Sequence, residues 1–158
     1  MTRRLEVFHH RSLRRILGIN MRHVQELRIS NERIRQHFQV PEMICYVQRR
    51  QLQWLFKIAN MSSDRLPPRL LESWIHHPRS DGRPQLSYRN SYATALHDII
   101  PEVDPTNAKR KDWISIARNK VQWTSSFKQW WESKQPGPPP PDDVLSMIVH
   151  SRRLMSSF

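Results

Sequence analysis

Residues 5–17 read LEVFHHRSLRRIL and are followed by Gly18. Projected at about 100° per residue, Leu5, Leu13, Ile16 and Leu17 share one arc of a helix. Arg4, Arg11, Arg14 and Arg15 share the opposite arc, with Phe8 at its edge. One face is built to pack and the other is cationic. Gly18 adopts a left-handed cap at the least cost, so the helix is predicted to stop there.

The same reading extends along the chain. Ser30 and Asn31 suit the cap of a short helix from Glu32 to Gln39, with Ile34 and Phe38 one turn apart and Val40-Pro41 ending it. Pro41 and Glu42 open the next helix, Met43 to Ala59. There Ile44, Val47, Trp54, Leu55 and Ile58 recur near helical spacing, while Arg49, Arg50, Gln53 and Lys57 lie mainly elsewhere. Pro67-Pro68 fits the first turn of a helix carrying Leu70, Leu71, Trp74 and Ile75, ended by His77-Pro78. Residues 78–84 are turn-rich, after which Tyr88, Tyr92, Ala95, Leu96 and Ile99 mark an amphipathic helix stopped by Pro101. One long helix is predicted from Lys109 to Glu132, with Trp113, Ile116, Ala117, Trp123, Phe127, Trp130 and Trp131 on a packing face.

Only three glycines and few strand-like alternations place the chain in the all-α class, as a small irregular bundle of about five to six amphipathic helices. The organisation read from sequence is a basic helical domain over 1–133, a Pro-rich linker over 134–141 and a short helical or frayed tail over 142–158. In that tail Asp142 or Asp143 can cap a helix carrying Val144, Leu145, Ile148 and Val149.

Lys and Arg total 26 against 14 acids, a formal net charge of +12, and more than half of the excess falls in the first fifty residues. Such a field favours polyanionic partners, nucleic acid first among them. No apolar run is long enough to cross a bilayer, and the N-terminal arginines are not followed by an apolar signal core. The expectation is a soluble, intracellular protein of nucleus or cytoplasm, without a membrane partner or a small-molecule substrate. Cys45 is the single cysteine, which rules out an internal disulfide and the usual zinc finger or knuckle.

Five blocks taken in order then carry a resemblance. They are Leu5, Phe8 and Arg11 with Leu13-Arg14-Arg15-Ile16-Leu17-Gly18-Ile19; Ser30-Asn31-Glu32; and Arg49-Arg50, Leu52, Trp54-Leu55 and Met61 running into Asp64-Arg65-Leu66-Pro67. Gly82-Arg83-Pro84 and the set Trp113, Ala117 and Trp123 complete them. Together they resemble the region after the reverse transcriptase domain in LINE-type, non-long-terminal-repeat retrotransposon polyproteins. Phe56-Lys57 departs from the Gly-His that the family often shows, and Asp81 stands where basic residues are common. The resemblance implies a fragment of a polyprotein whose natural partner is the polymerase domain that precedes it. Polymerase chemistry needs metal-holding carboxylates such as a Tyr-x-Asp-Asp turn, and the chain has none; no endonuclease set is visible either. The expectation is therefore a protein without catalytic residues, metal or cofactor.

Each candidate site has two readings. Arg4, Arg11, Arg14 and Arg15 can bind phosphates with Phe8 stacking on a base, or form a solvated face. Arg49, Arg50 and Lys57 make a second patch under the same alternatives. His9-His10 and His76-His77 suggest metal ligation, but neighbours on a helix diverge by about 100°, so neither doublet readily chelates alone. The tryptophans can stack bases, although their spacing favours core packing, and Cys45 reads as an inert buried thiol. The functional expectation is sequence-independent binding of RNA or DNA. Its rivals are a packing module that completes the polymerase thumb and, behind both, a helix-turn-helix DNA reader.

Overall fold

The computed structural model describes residues 2–72, 88–106, 108–139 and 145–147. Among them lie eight helices of six residues or more, a helical stretch at 145–147 and no strand, so the protein is all-α. The helices are α1 (Thr2–Leu17), α2 (Met21–Glu26), α3 (Asn31–Phe38), α4 (Met43–Ala59), α5 (Leu66–Glu72), α6 (Tyr88–His97), α7 (Arg110–Arg118) and α8 (Lys120–Ser133). The chain divides into two compact units. The first is Met1–Tyr46 with Lys134–Phe158, and the second is Val47–Ser133.

In the first unit, three helices end in the same way. Ile19 N–H bonds to Arg14 C=O and Gly18 N–H to Arg15 C=O, both at 3.0 Å, with Gly18 at φ 65°. Ile29 and Arg28 repeat the pair onto Val24 and Gln25, and Val40 and Gln39 repeat it onto Arg35 and Gln36. These are Schellman turns, in which a left-handed residue reverses the chain and the next residue points back at the helix. Gly18 bears this conformation freely, whereas Arg28 at φ 48° and Gln39 at φ 53° hold it against a Cβ. Each turn thereby brings an apolar residue, Ile19, Ile29 or Val40, to one cluster with Leu13, Leu17 and Ile34. The starts are capped as well. Ser30 Oγ accepts from Arg33 N–H, and Asn20 and His23 form a reciprocal capping box that opens α2. Leu145 completes this core and is 0% exposed.

The second unit packs α4, α5, α6, α7 and α8 around Leu52, Leu55, Ile58, Leu96, Ile100 and Trp113. Tyr92 meets Trp113 edge-on, and Phe56 stacks on Trp123 at 5.9 Å. Trp130 donates its indole N–H to Asp98 at 3.2 Å.

Two expectations change here. The helix read as Lys109 to Glu132 breaks at Asn119, whose backbone turns extended (φ −76°, ψ 91°) and whose Oδ1 accepts from Gln122 N–H to start α8. The short carboxamide caps a second helix better than it continues the first. Second, α2 was not anticipated: its six residues bury none, and its capping bonds define it. The expected turn loop at 78–84, Trp74, Ile75, His76-His77, Gly82-Arg83-Pro84 and the Asp142-Asp143 cap lie outside the described residues.

Candidate nucleic-acid interface

The orientation of α1 is set by the side it buries. Leu13 and Leu17 are buried as expected, but the buried arc is completed by His10 and half-buried Glu6 rather than by Leu5 and Ile16. Ile16 is 71% exposed, which corrects its assignment to the packing face. The cause is angular: Glu6, His10, Leu13 and Leu17 fall within about 60° of one another on a helix, and Ile16 falls about 100° from Leu17.

The polar members of that arc are partly satisfied locally, Glu6 Oε2 being buried without a hydrogen-bond partner among the described residues. Glu6 accepts from Ile44 N–H at 3.1 Å, at the start of α4. His10 stacks on His9, and Arg35 Nη1 lies 3.1 Å from its Nε2. A guanidinium only donates, so His10 Nε2 offers its lone pair and the ring is neutral. Burial is the main cause that holds the His10 pKa below its ordinary value of 6.5, with the Arg35 charge adding to it and Glu6 opposing. Arg35 also pairs with Glu42 at 3.1 Å.

A pH dependence follows. The unfolded chain takes up the His10 proton near pH 6.5, whereas the folded protein resists it, so the unfolded state binds more protons just below that pH. Stability from this group is intact above about pH 6.5 and falls with pH until the lower folded pKa is passed. Urea midpoints at about pH 7.5 and 5.5 should show the loss, and His10→Gln should flatten it. An unchanged slope in that variant would contradict the assignment.

With His10, Leu13 and Leu17 inward, Arg4, Arg11 and Arg15 project to solvent around Phe8, which is 66% exposed. Among the described residues none of these three arginines has an ion-pair partner, and the one acid of α1, Glu6, is on the opposite side. Arg14 stands apart from the other three. It is half-buried and donates to Asn31 Oδ1 at 3.0 Å, because its position borders the side of α1 that meets α3.

The second predicted patch also divides. Arg50 and Lys57 are exposed on α4, but Arg49 turns its guanidinium over the Trp131 ring at 4.3 Å from the centroid. That cation–π contact commits Arg49 to the fold. Trp54, read from sequence as a packing residue, is instead 45% exposed. It lies one turn from both Arg50 and Lys57. The missed signal was angular again, since Trp54 falls about 100° from Leu55, at the margin of the buried arc.

Cys45 is buried, and desolvation, reinforced by Glu42, raises its thiol pKa above the ordinary value. Among the described residues no three His, Cys, Asp or Glu side chains come together in a way that could hold a metal ion. No described helix is long and apolar enough to cross a membrane. Comparison with protein-family models, with curated proteins and with solved structures finds no match.

Proposed function

We propose that this chain is a non-catalytic helical fragment of a retrotransposon polyprotein that helps a reverse transcriptase hold RNA or DNA by its backbone, without reading sequence. The observation that supports this most directly is the outward face of α1, where Arg4, Arg11 and Arg15 surround exposed Phe8 with no acid among them. Phosphates displace condensed counterions when they meet such a face, so the attraction is general and dependent on salt. The reverse transcriptase as partner rests on the sequence resemblance.

Three phosphate contacts, with Arg14 engaged on Asn31, give a log–log salt slope of about −2 to −2.7. That corresponds to a loss of roughly 20- to 40-fold between about 50 and 200 mM salt. Arg11→Gln with Arg15→Gln keeps side-chain length and helix propensity, and the slope should flatten by about 1.4 to 1.8. Helicity and stability should hold, because exposed charges contribute little to folding. Fluorescence anisotropy with unrelated oligonucleotides across a salt series reads both. Unchanged affinity and slope in the double variant would remove the arginine face as the contact surface.

One observation favours a second reading, that of a protein-packing module completing the polymerase thumb. Leu5, Val7, Phe8 and Ile16 are all exposed on α1, an apolar content that a purely phosphate-binding helix does not need. On that reading the charge keeps the chain soluble, and the arginine double variant leaves docking to a polymerase domain intact.

A further inference from the structure

We propose that the face of α4 bearing Arg50, Trp54 and Lys57 is a stacking platform for an unpaired nucleobase, which makes single-stranded nucleic acid the preferred ligand. The inference rests on the nucleic-acid reading above and deepens it, using residues of the second unit alone.

Trp54 belongs neither to the buried core of that unit nor to the partly buried residues packed on it. The other described tryptophans are accounted for: Trp113, Trp123 and Trp130 are buried, and Trp131 lies beneath Arg49. Trp54 is thus the one indole among the described residues that offers a large surface to solvent. On α4 the exposed residues one turn from it are both cationic. Arg50 precedes it by four residues, Lys57 follows by three, and residues 43–59 contain no acid.

Those surroundings select among occupants. A π-face flanked by two cations suits a flat ring joined to anionic links, which describes a base on its phosphate backbone. In a duplex the base faces are stacked on one another and only their edges are open, so an indole gains little there. An unpaired base exposes both faces, and every base has one, so the contact stays independent of sequence.

The test uses the intact chain and three probes of equal length: a thymidine strand, an abasic strand of the same charge, and a duplex. The thymidine strand should bind roughly 5- to 150-fold more tightly than the abasic strand, the range expected for one stacked base. Trp54→Ala should remove that preference while leaving abasic affinity and the salt slope as they were, and Trp54→Tyr should retain most of it. Should Trp54→Ala lose its helical signal, the thymidine-to-abasic ratio of the unaltered protein and of Trp54→Tyr decides alone. Equal affinity for the thymidine and abasic strands overturns the proposal and leaves Trp54 to a protein partner. A duplex bound as tightly as the thymidine strand overturns it too. Failure of the underlying reading looks different: none of the three probes binds with a dependence on salt.

Discussion

Replacing Trp113 by Ala is expected to destabilise the second unit by about 3–5 kcal/mol, the cost of removing a fully buried aromatic side chain. Trp113 is 0% exposed, and its ring sits against Tyr92 in the cluster that joins α4, α6, α7 and α8. Domains of this size are stable by only about 5–15 kcal/mol in total, so the variant should populate unfolded α7 and α8 at room temperature or slightly above. Its indole N–H is buried without a hydrogen-bond partner among the described residues. Trp113→Phe keeps the six-membered ring and discards an unsatisfied donor, so it should cost clearly less than the Ala variant despite the smaller volume. Urea titration followed by far-ultraviolet circular dichroism compares the two without relying on the fluorophore removed. An Ala variant within about 1 kcal/mol of the parent would mean that this core is not formed as described.

The second large effect concerns Leu145. The sequence reading of 142–158 is a short helical or frayed tail, and in the frayed case the loss of Leu145 would cost nothing. In the structure it is 0% exposed among Leu13, Leu17, Ile19, Ile29 and Ile34, so Leu145→Ala should cost about 2–5 kcal/mol. The loss should appear in the first unit, as faster amide hydrogen exchange in α1 and α3, with the α8 amides left protected. Deleting residues 134–158 should reproduce it. A variant indistinguishable from the parent would favour the reading in which 1–133 stands without the tail.

How much of this was legible depends on how local each signal is. The amphipathic α1 and its stop at Gly18, the Ser30 cap, and the extents of α4 and α6 follow from periodicity and capping chemistry within a few residues. The break at Asn119 was readable in principle. Trp113 and Ala117 share one direction of a continuous helix, whereas Trp123 and Trp130 lie about 100° away, and a single straight helix does not bury both pairs on one side. Spacing alone hid that offset. α2 had no apolar stripe to announce it, only caps. In the candidate site, Arg4, Phe8, Arg11 and Arg15 share an exposed side of α1, because exposure on a short helix follows from what the opposite side buries. The partners of Arg14 and Arg49, Asn31 and Trp131, are fixed by tertiary packing that a helical projection does not contain. Leu145 is the extreme case, since its core partners are more than a hundred residues away along the chain.

That separation bears on how the chain is made. During synthesis α1, α2 and α3 leave the ribosome before residues 47–133, yet the core they share is not filled until Leu145 emerges after that whole stretch. Until then the apolar edge of Leu13, Leu17 and Ile34 stays open to water and to other nascent chains, a natural point of engagement for a chaperone. Residues 47–133 carry their own core and can fold during the wait, which shortens the disordered span still to be closed. The entropy of closure grows only slowly with span, by about 0.6 kcal/mol per doubling, so the delay bears more on aggregation during synthesis than on final stability.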